Sequence, residues 1–144
     1  MANKNDYFSL RNEHTNDKID ELLADLPYFC ADFFYGIANN TSALTRLNYA
    51  YDLRIFFTYL SEIKKIPVEE MSLSLLDELK AVDIERFLNY LSNYKLNGKK
   101  LSCNERGKAR KLASIRAMYR YFFNHDMIKA NVASKIDTPK LHEK

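Results

Sequence analysis

Three glycines and three prolines are all that interrupt 144 residues, against average usages of about 7% and 5%. A chain this poor in turn formers is confined to long helices joined by few loops. Ten tyrosines and nine phenylalanines, with no tryptophan, supply those helices with large packing groups. The length suits one domain, or one compact domain with an appendage, able to bury roughly two-thirds of its unfolded surface. No apolar run approaches the roughly 20 residues of a bilayer span. The start, Met1 to Tyr7, lacks a basic segment followed by an apolar core, so no secretory signal is read and a cytoplasmic location is expected. Cys30 and Cys103 stand apart from any CxxC or Cys/His pairing. That argues against a zinc knuckle or a disulfide framework and leaves both as reduced thiols. No metal and no cofactor is expected.

The apolar periodicity predicts the helices. Thr15 or Asn16 can cap a first short helix with Ile19, Leu22, Leu23 and Leu26 as its stripe. Pro27 breaks that pattern and suits the first turn of a second helix carrying Phe29, Cys30, Phe33, Phe34 and Ile37, closed by Asn39 and Asn40. The strongest signal opens at Thr41 and Ser42, either of which can cap, and runs to about Ile63. Its Tyr49, Leu53, Phe56, Leu60 and Ile63 fall at spacings of 4, 3, 4 and 3. A third pattern holds Ile84, Phe87, Leu88, Leu91 and Tyr94, followed by a basic turn pivoting on Gly98. The last long helix is predicted from about Cys103 to Asn124. Ala109, Leu112, Ile115, Tyr119 and Phe122 face inward, with Arg106, Arg110, Ser114, Ala117 and Tyr121 opposite them. Ile136 onward reads as an exposed connector. Nothing alternates with period two for long enough to predict a strand.

Charge is distributed unevenly. Residues 1–80 carry 8 Lys+Arg and 13 Asp+Glu, net −5, whereas residues 81–144 carry 14 and 6, net +8. From Lys95 to Arg120 nine basic residues meet one acid, Glu105. Arg106 and Arg110, like Arg116 and Arg120, are like charges four apart, which costs a helix roughly 0.2–0.5 kcal/mol per pair. Phosphates would supply the missing anions, so Lys99, Lys100, Arg106, Lys108, Arg110, Lys111 and Arg116 are candidate nucleic-acid contacts. A solvated face, or an acidic protein or lipid surface, is the competing explanation. Arg116 and Lys108 also project near the apolar direction, where they can snorkel over the core. A second candidate surface is the start of the central helix, where Thr41, Thr45 and Arg46 join hydroxyls, backbone N–H groups and a cation. Simple capping accounts for the same hydroxyls.

Thr45 to Leu60, then Val82-Asp-Ile-Glu-Arg-Phe-Leu-Asn-Tyr-Leu91, then Arg110-Lys-Leu-Ala-Ser-Ile-Arg-Ala-Met-Tyr-Arg-Tyr-Phe122 together resemble the N-terminal core-binding domain of tyrosine recombinases, the phage-integrase and Xer family. The likeness covers about residues 41 to 140. The segments Asp17 to Leu23 and Leu26 to Phe29 are similar to the extra N-terminal helices of Xer-type recombinases. Two departures stand out: Lys80-Ala-Val-Asp83 replaces a Thr-x-x-Asp capping box, and Asn131-Val132 replaces Asn-Pro.

The resemblance implies an all-α fold, a four-helix SAM-like bundle with one or two extra N-terminal helices. Residues 1–40 would be the extension, 41–136 the DNA-binding domain and 137–144 a linker to a catalytic domain. It implies one jaw of a C-shaped clamp on a duplex DNA half-site, with other recombinase protomers as partners in the full-length synaptic complex and no membrane. The family's chemistry, attack by a tyrosine on the scissile phosphate, belongs to the other jaw. His14, His125 and His142 are not followed by the family's His-x-x-Arg pattern, so no catalytic residue is expected here. Scattered carboxylates such as Asp83/Glu85 and Glu69/Glu70 read as solvated helix ends. The alternative is a helical protein–protein interaction module with no nucleic-acid role, in which the Phe-rich segment 27–38 docks a partner helix instead of filling its own core.

Overall fold

In a computed structural model, residues 4–140 are described, with side chains from Leu10 onward. The linker expected over 137–144 therefore lies outside the described residues from 141, as does His142. Six α-helices run through the described chain: α1 (Lys4–Leu23), α2 (Cys30–Gly36), α3 (Ala43–Lys64), α4 (Ser74–Glu78), α5 (Ala81–Tyr90) and α6 (Glu105–Asn124). Single 3-10 turns occupy Val68–Glu70 and Val132–Lys135, and strands β1 (Tyr94–Leu96) and β2 (Lys99–Leu101) sit between α5 and α6. The fold is all-α apart from this hairpin. No helix among the described residues is long and apolar enough to cross a membrane. The chain divides into two compact units, one through Met71 and one from Ser72.

In the first unit α1 packs along α3, so the segment expected as an extension shares its core with the central helix. α1 begins well before the predicted cap. Thr15 lies inside it, with its hydroxyl donating to the Arg11 carbonyl at 3.0 Å. Ile19, Leu22 and Leu26 are buried as their spacing predicts. Phe29, Cys30 and Phe33 have no exposed surface; Phe29 meets Phe57 edge-on at 5.7 Å and Phe33 stacks on Tyr49 at 6.0 Å. The Phe-rich segment is thus spent on its own core rather than offered to a partner helix. Ser42 caps α3, its Oγ accepting from the Thr45 N–H at 3.1 Å. Leu53, Phe56 and Leu60 are buried, but Ile63, the last member of the expected stripe, is exposed because the helix ends one residue later.

In the second unit Ile84 and Phe87 from α5, Leu91 at its C-terminal cap, and Leu112, Ile115, Tyr119 and Phe122 from α6 are completely buried. Half of a capping box survives at α5, where the Asp83 carboxylate accepts from the Lys80 N–H at 2.8 Å. Asn104 caps α6 through its Oδ1 and the Gly107 N–H at 2.9 Å. The 3-10 turn at Val132–Lys135 packs on α5 and α6. Ile136, expected at the start of an exposed connector, is instead buried.

The hairpin corrects the expectation that no strand forms. Period-two alternation is weak over three-residue strands, but Asn97 and Gly98, at φ of 53° and 77°, make the two-residue turn that Asn-Gly favours. The register pairs Tyr94 with Leu101, Lys95 with Lys100 and Leu96 with Lys99.

Candidate nucleic-acid interface

The expected contact residues separate into two groups that the structure treats differently. In the first unit, Thr41, Thr45 and Arg46 are engaged within the unit itself, the Thr45 hydroxyl accepting from Ser42 Oγ at 2.9 Å. The Thr41 hydroxyl donates to the Ile37 carbonyl at 2.6 Å. Arg46 Nη1 donates to the carbonyls of Ala38, at 3.0 Å, and of Thr41, and to Thr41 Oγ1 at 3.1 Å. Its Nη2 reaches Asn16 Oδ1 at 3.4 Å. Arg46 therefore fastens the connection between α2 and α3, supplying donors to helix-end carbonyls that lack intrahelical partners.

In the second unit, Lys108 and Arg116 likewise act within the fold. Lys108 Nζ donates to Ser92 Oγ at 2.7 Å and lies 3.6 Å from Glu105, with a side chain only 12% exposed. Arg116 donates from Nη1 to Thr138 Oγ1 at 2.7 Å and from Nη2 to the Ile136 carbonyl, pinning the residues that follow the last 3-10 turn. Both were expected close to the apolar direction, and there they find partners. Lys111 departs furthest from expectation. It is buried and has a partner within the fold, so it does not stand among the outward cations. The physical reason is the width of α6's inward arc, which includes Lys111, Leu112, Ser114, Ile115, Met118, Tyr119 and Phe122.

The same width corrects the phase of the outer face. Ser114, expected outward, is buried with its hydroxyl 3.4 Å from the Arg110 carbonyl, and Tyr121 is half-buried. The outward line is instead Arg106, Arg110, Ala113, Ala117, Arg120 and Asn124, at spacings of 4, 3, 4, 3 and 4. All are exposed except Ala117, which is half-buried. The side chains of Arg106 and Arg120 make no ion pair or hydrogen bond among the described residues. The face is small in its centre and cationic along its length, a shape that lets a backbone or groove approach closely.

Beside α6 in sequence, the hairpin exposes Lys95, Lys99 and Lys100. Lys99 and Lys100 were expected contacts. Lys95 becomes significant only through the strand register, which sets it opposite Lys100. The missed signal was Asn97-Gly98, the strongest short-range hairpin dipeptide.

Two buried acids have raised pKa values. Desolvation pushes the Cys30 thiol well above its usual range, leaving it a protonated packing group. Burial, and then the negative charges of Asp77 and Asp83, does the same to the Tyr119 hydroxyl. Both cysteines are free. Among the described residues no group of three His, Cys, Asp or Glu could hold a metal ion.

Residues 32–125 match the family model described as phage integrase, N-terminal SAM-like domain. Curated relatives that match carry the name tyrosine recombinase XerC. The protein from Syntrophus aciditrophicus is 30% identical over 122 residues, covering 85% of this chain and 35% of the relative. That from Leptospira interrogans is 29% identical over 110 residues, covering 76% and 30%, and that from Caldanaerobacter subterraneus is 29% identical over 119 residues, covering 75% and 32%. The chain thus spans about a third of the length of these relatives. No solved structure matches it. The chain belongs to the phage integrase N-terminal SAM-like domain family, as a domain of the kind found in Xer-like tyrosine recombinases.

Proposed function

We propose that this chain binds duplex DNA as the clamp domain of a site-specific tyrosine recombinase, gripping a recombination half-site while strand cleavage takes place elsewhere in the protein. The observation that carries the reading is the outward face of the second unit. Arg106 and Arg120 on α6 and Lys95, Lys99 and Lys100 on the hairpin are exposed, and no described acid pairs with them. A globular surface ordinarily intersperses the two signs of charge. One that omits the acids bears repulsion that an external polyanion relieves. The contact set favoured here is Lys99, Lys100 and Arg106, joined by Lys95 and Arg120; Arg110 is exposed on the same face but already has a partner within the fold. Arg46, Lys108 and Arg116 have work inside the fold, and Thr41 and Thr45 have local hydrogen bonds.

The relatives named as recombinases support the wider assignment, in which the parent protein takes part in DNA recombination and other protomers complete the complex. Within these 144 residues the role assigned is binding without chemistry. Fluorescence anisotropy with labelled duplex DNA across a salt series tests it. Log affinity should fall linearly with log salt, with a slope of roughly −0.9 for each phosphate neutralised. Affinity that does not change with salt would remove the electrostatic basis.

A further inference from the structure

Lys95 and Lys100 stand directly opposite each other on an antiparallel pair, a placement that brings Cβ atoms to about 4.5–5.5 Å and is unfavourable for like charges. Neither lysine side chain makes an ion pair or hydrogen bond among the described residues. The hairpin cannot relax by slipping one residue. Its other face holds Tyr94, which is buried, and Leu96 and Leu101, which are half-buried, so a slip would turn these outward and the charges inward. The Asn97-Gly98 turn, with both residues at positive φ, also fixes the register. The fold thus sets two exposed lysines directly opposite each other, with no described acid paired to either.

We propose that Lys95 and Lys100 form a clip for a single phosphate of the DNA backbone, an inference that rests on the DNA-binding reading above. One phosphate placed between two ammonium groups replaces their repulsion with two charge-assisted hydrogen bonds. The contact carries no sequence information, because a backbone phosphate is the same at every step. The clip therefore sets the position of the duplex on the hairpin, while side chains on the α6 face are the ones placed to meet base edges. Lys99 lies on the opposite face of the strand, across from Leu96, and is not part of the pair.

The test uses the 144-residue chain and mixed-sequence duplex DNA, with anisotropy followed over a salt series. Wild type is compared with the double variant Lys95→Gln/Lys100→Gln and with Lys129→Gln/Lys140→Gln, which removes the same charge from exposed sites elsewhere. The hairpin variant should bind roughly three- to tenfold more weakly on every duplex, with a salt slope shallower by about 0.9, the value for one phosphate. Its thermal midpoint should hold or rise by about 1–3 °C as the repulsion is removed. The control should lose less affinity and keep its slope. A hairpin variant that matches the control overturns the clip while leaving DNA binding by the domain intact. A slope change near 1.8 means two separate phosphates and overturns it as well. A lowered thermal midpoint would show that the lysines support the fold, against the premise of repulsion. If wild type fails to bind duplex DNA at all, both the clip and the function it rests on fall.

Discussion

Tyr119 has its ring fully buried and its hydroxyl donating to the Leu76 carbonyl at 2.8 Å, linking α6 to α4 within the second unit. Sequence periodicity identifies the ring as core, since Tyr119 falls in the inward stripe of α6, but not the acceptor, which lies 43 positions away. Tyr119→Phe leaves that carbonyl without its donor inside the protein and should cost about 1–3 kcal/mol in chemical denaturation. The hydroxyl also makes a pH prediction. Its pKa is raised in the folded state above the ordinary 10.0 by burial first and by Asp77 and Asp83 second. Above that ordinary value the unfolded chain loses the proton while the folded chain keeps it, so stability present below pH 10 declines as pH rises. The Tyr119→Phe variant should lose less stability than wild type between pH 10 and 11, measured as the difference in urea midpoints. Parallel curves for the two proteins would contradict the assignment. Asp52 illustrates what periodicity misses at this scale: it is 1% exposed in the middle of α3, a polar residue buried with a partner.

At the level of elements, the long helices were legible because local chemistry and tertiary packing agree. Ser42 and Asn104 cap α3 and α6 at the expected ends, and the inward residues of both helices repeat at three and four. The hairpin was not legible as strands, since three-residue segments give alternation little room, yet its turn was written in Asn97-Gly98. Gly98, at φ 77°, has nothing within 4 Å of an added Cβ, so Gly98→Ala meets no clash and pays only for the left-handed backbone. That should cost about 1 kcal/mol, with the loss of hydrogen-exchange protection concentrated in β1 and β2. Should protection fall equally across α6, the hairpin would be part of a larger cooperative element. α1 was misjudged in length because Thr15 is a good cap by type. The helix had already begun, and its hydroxyl turned back to Arg11 instead.

For the molecule as a whole, the excess of basic charge after residue 80 predicts a binding surface but not its outline. Arg106, exposed and with no side-chain ion pair or hydrogen bond among the described residues, is the clearest probe of that surface. Arg106→Ala should weaken duplex binding roughly three- to tenfold while the thermal midpoint moves by less than about 1 °C, since exposed substitutions away from caps and core are near neutral. A large drop in the midpoint would assign Arg106 to the fold instead of the interface. By itself the sequence determined the helical class, the inward stripes, the Ser42 cap of the central helix and the concentration of positive charge, because each is encoded by residues within a few turns of one another. It also carried the family likeness, since three amphipathic segments in order survive as local patterns. Only tertiary structure decided which cations are available. Arg46, Lys108 and Arg116 are drawn to carbonyls, a hydroxyl or a carboxylate that folding brings within reach, and the wide inward arc of α6 buries Lys111 and Ser114. Strand register, set by a turn, raised Lys95 to the rank of its neighbours. A charge's partners are fixed by distances in space, and a helical wheel holds only those along one axis.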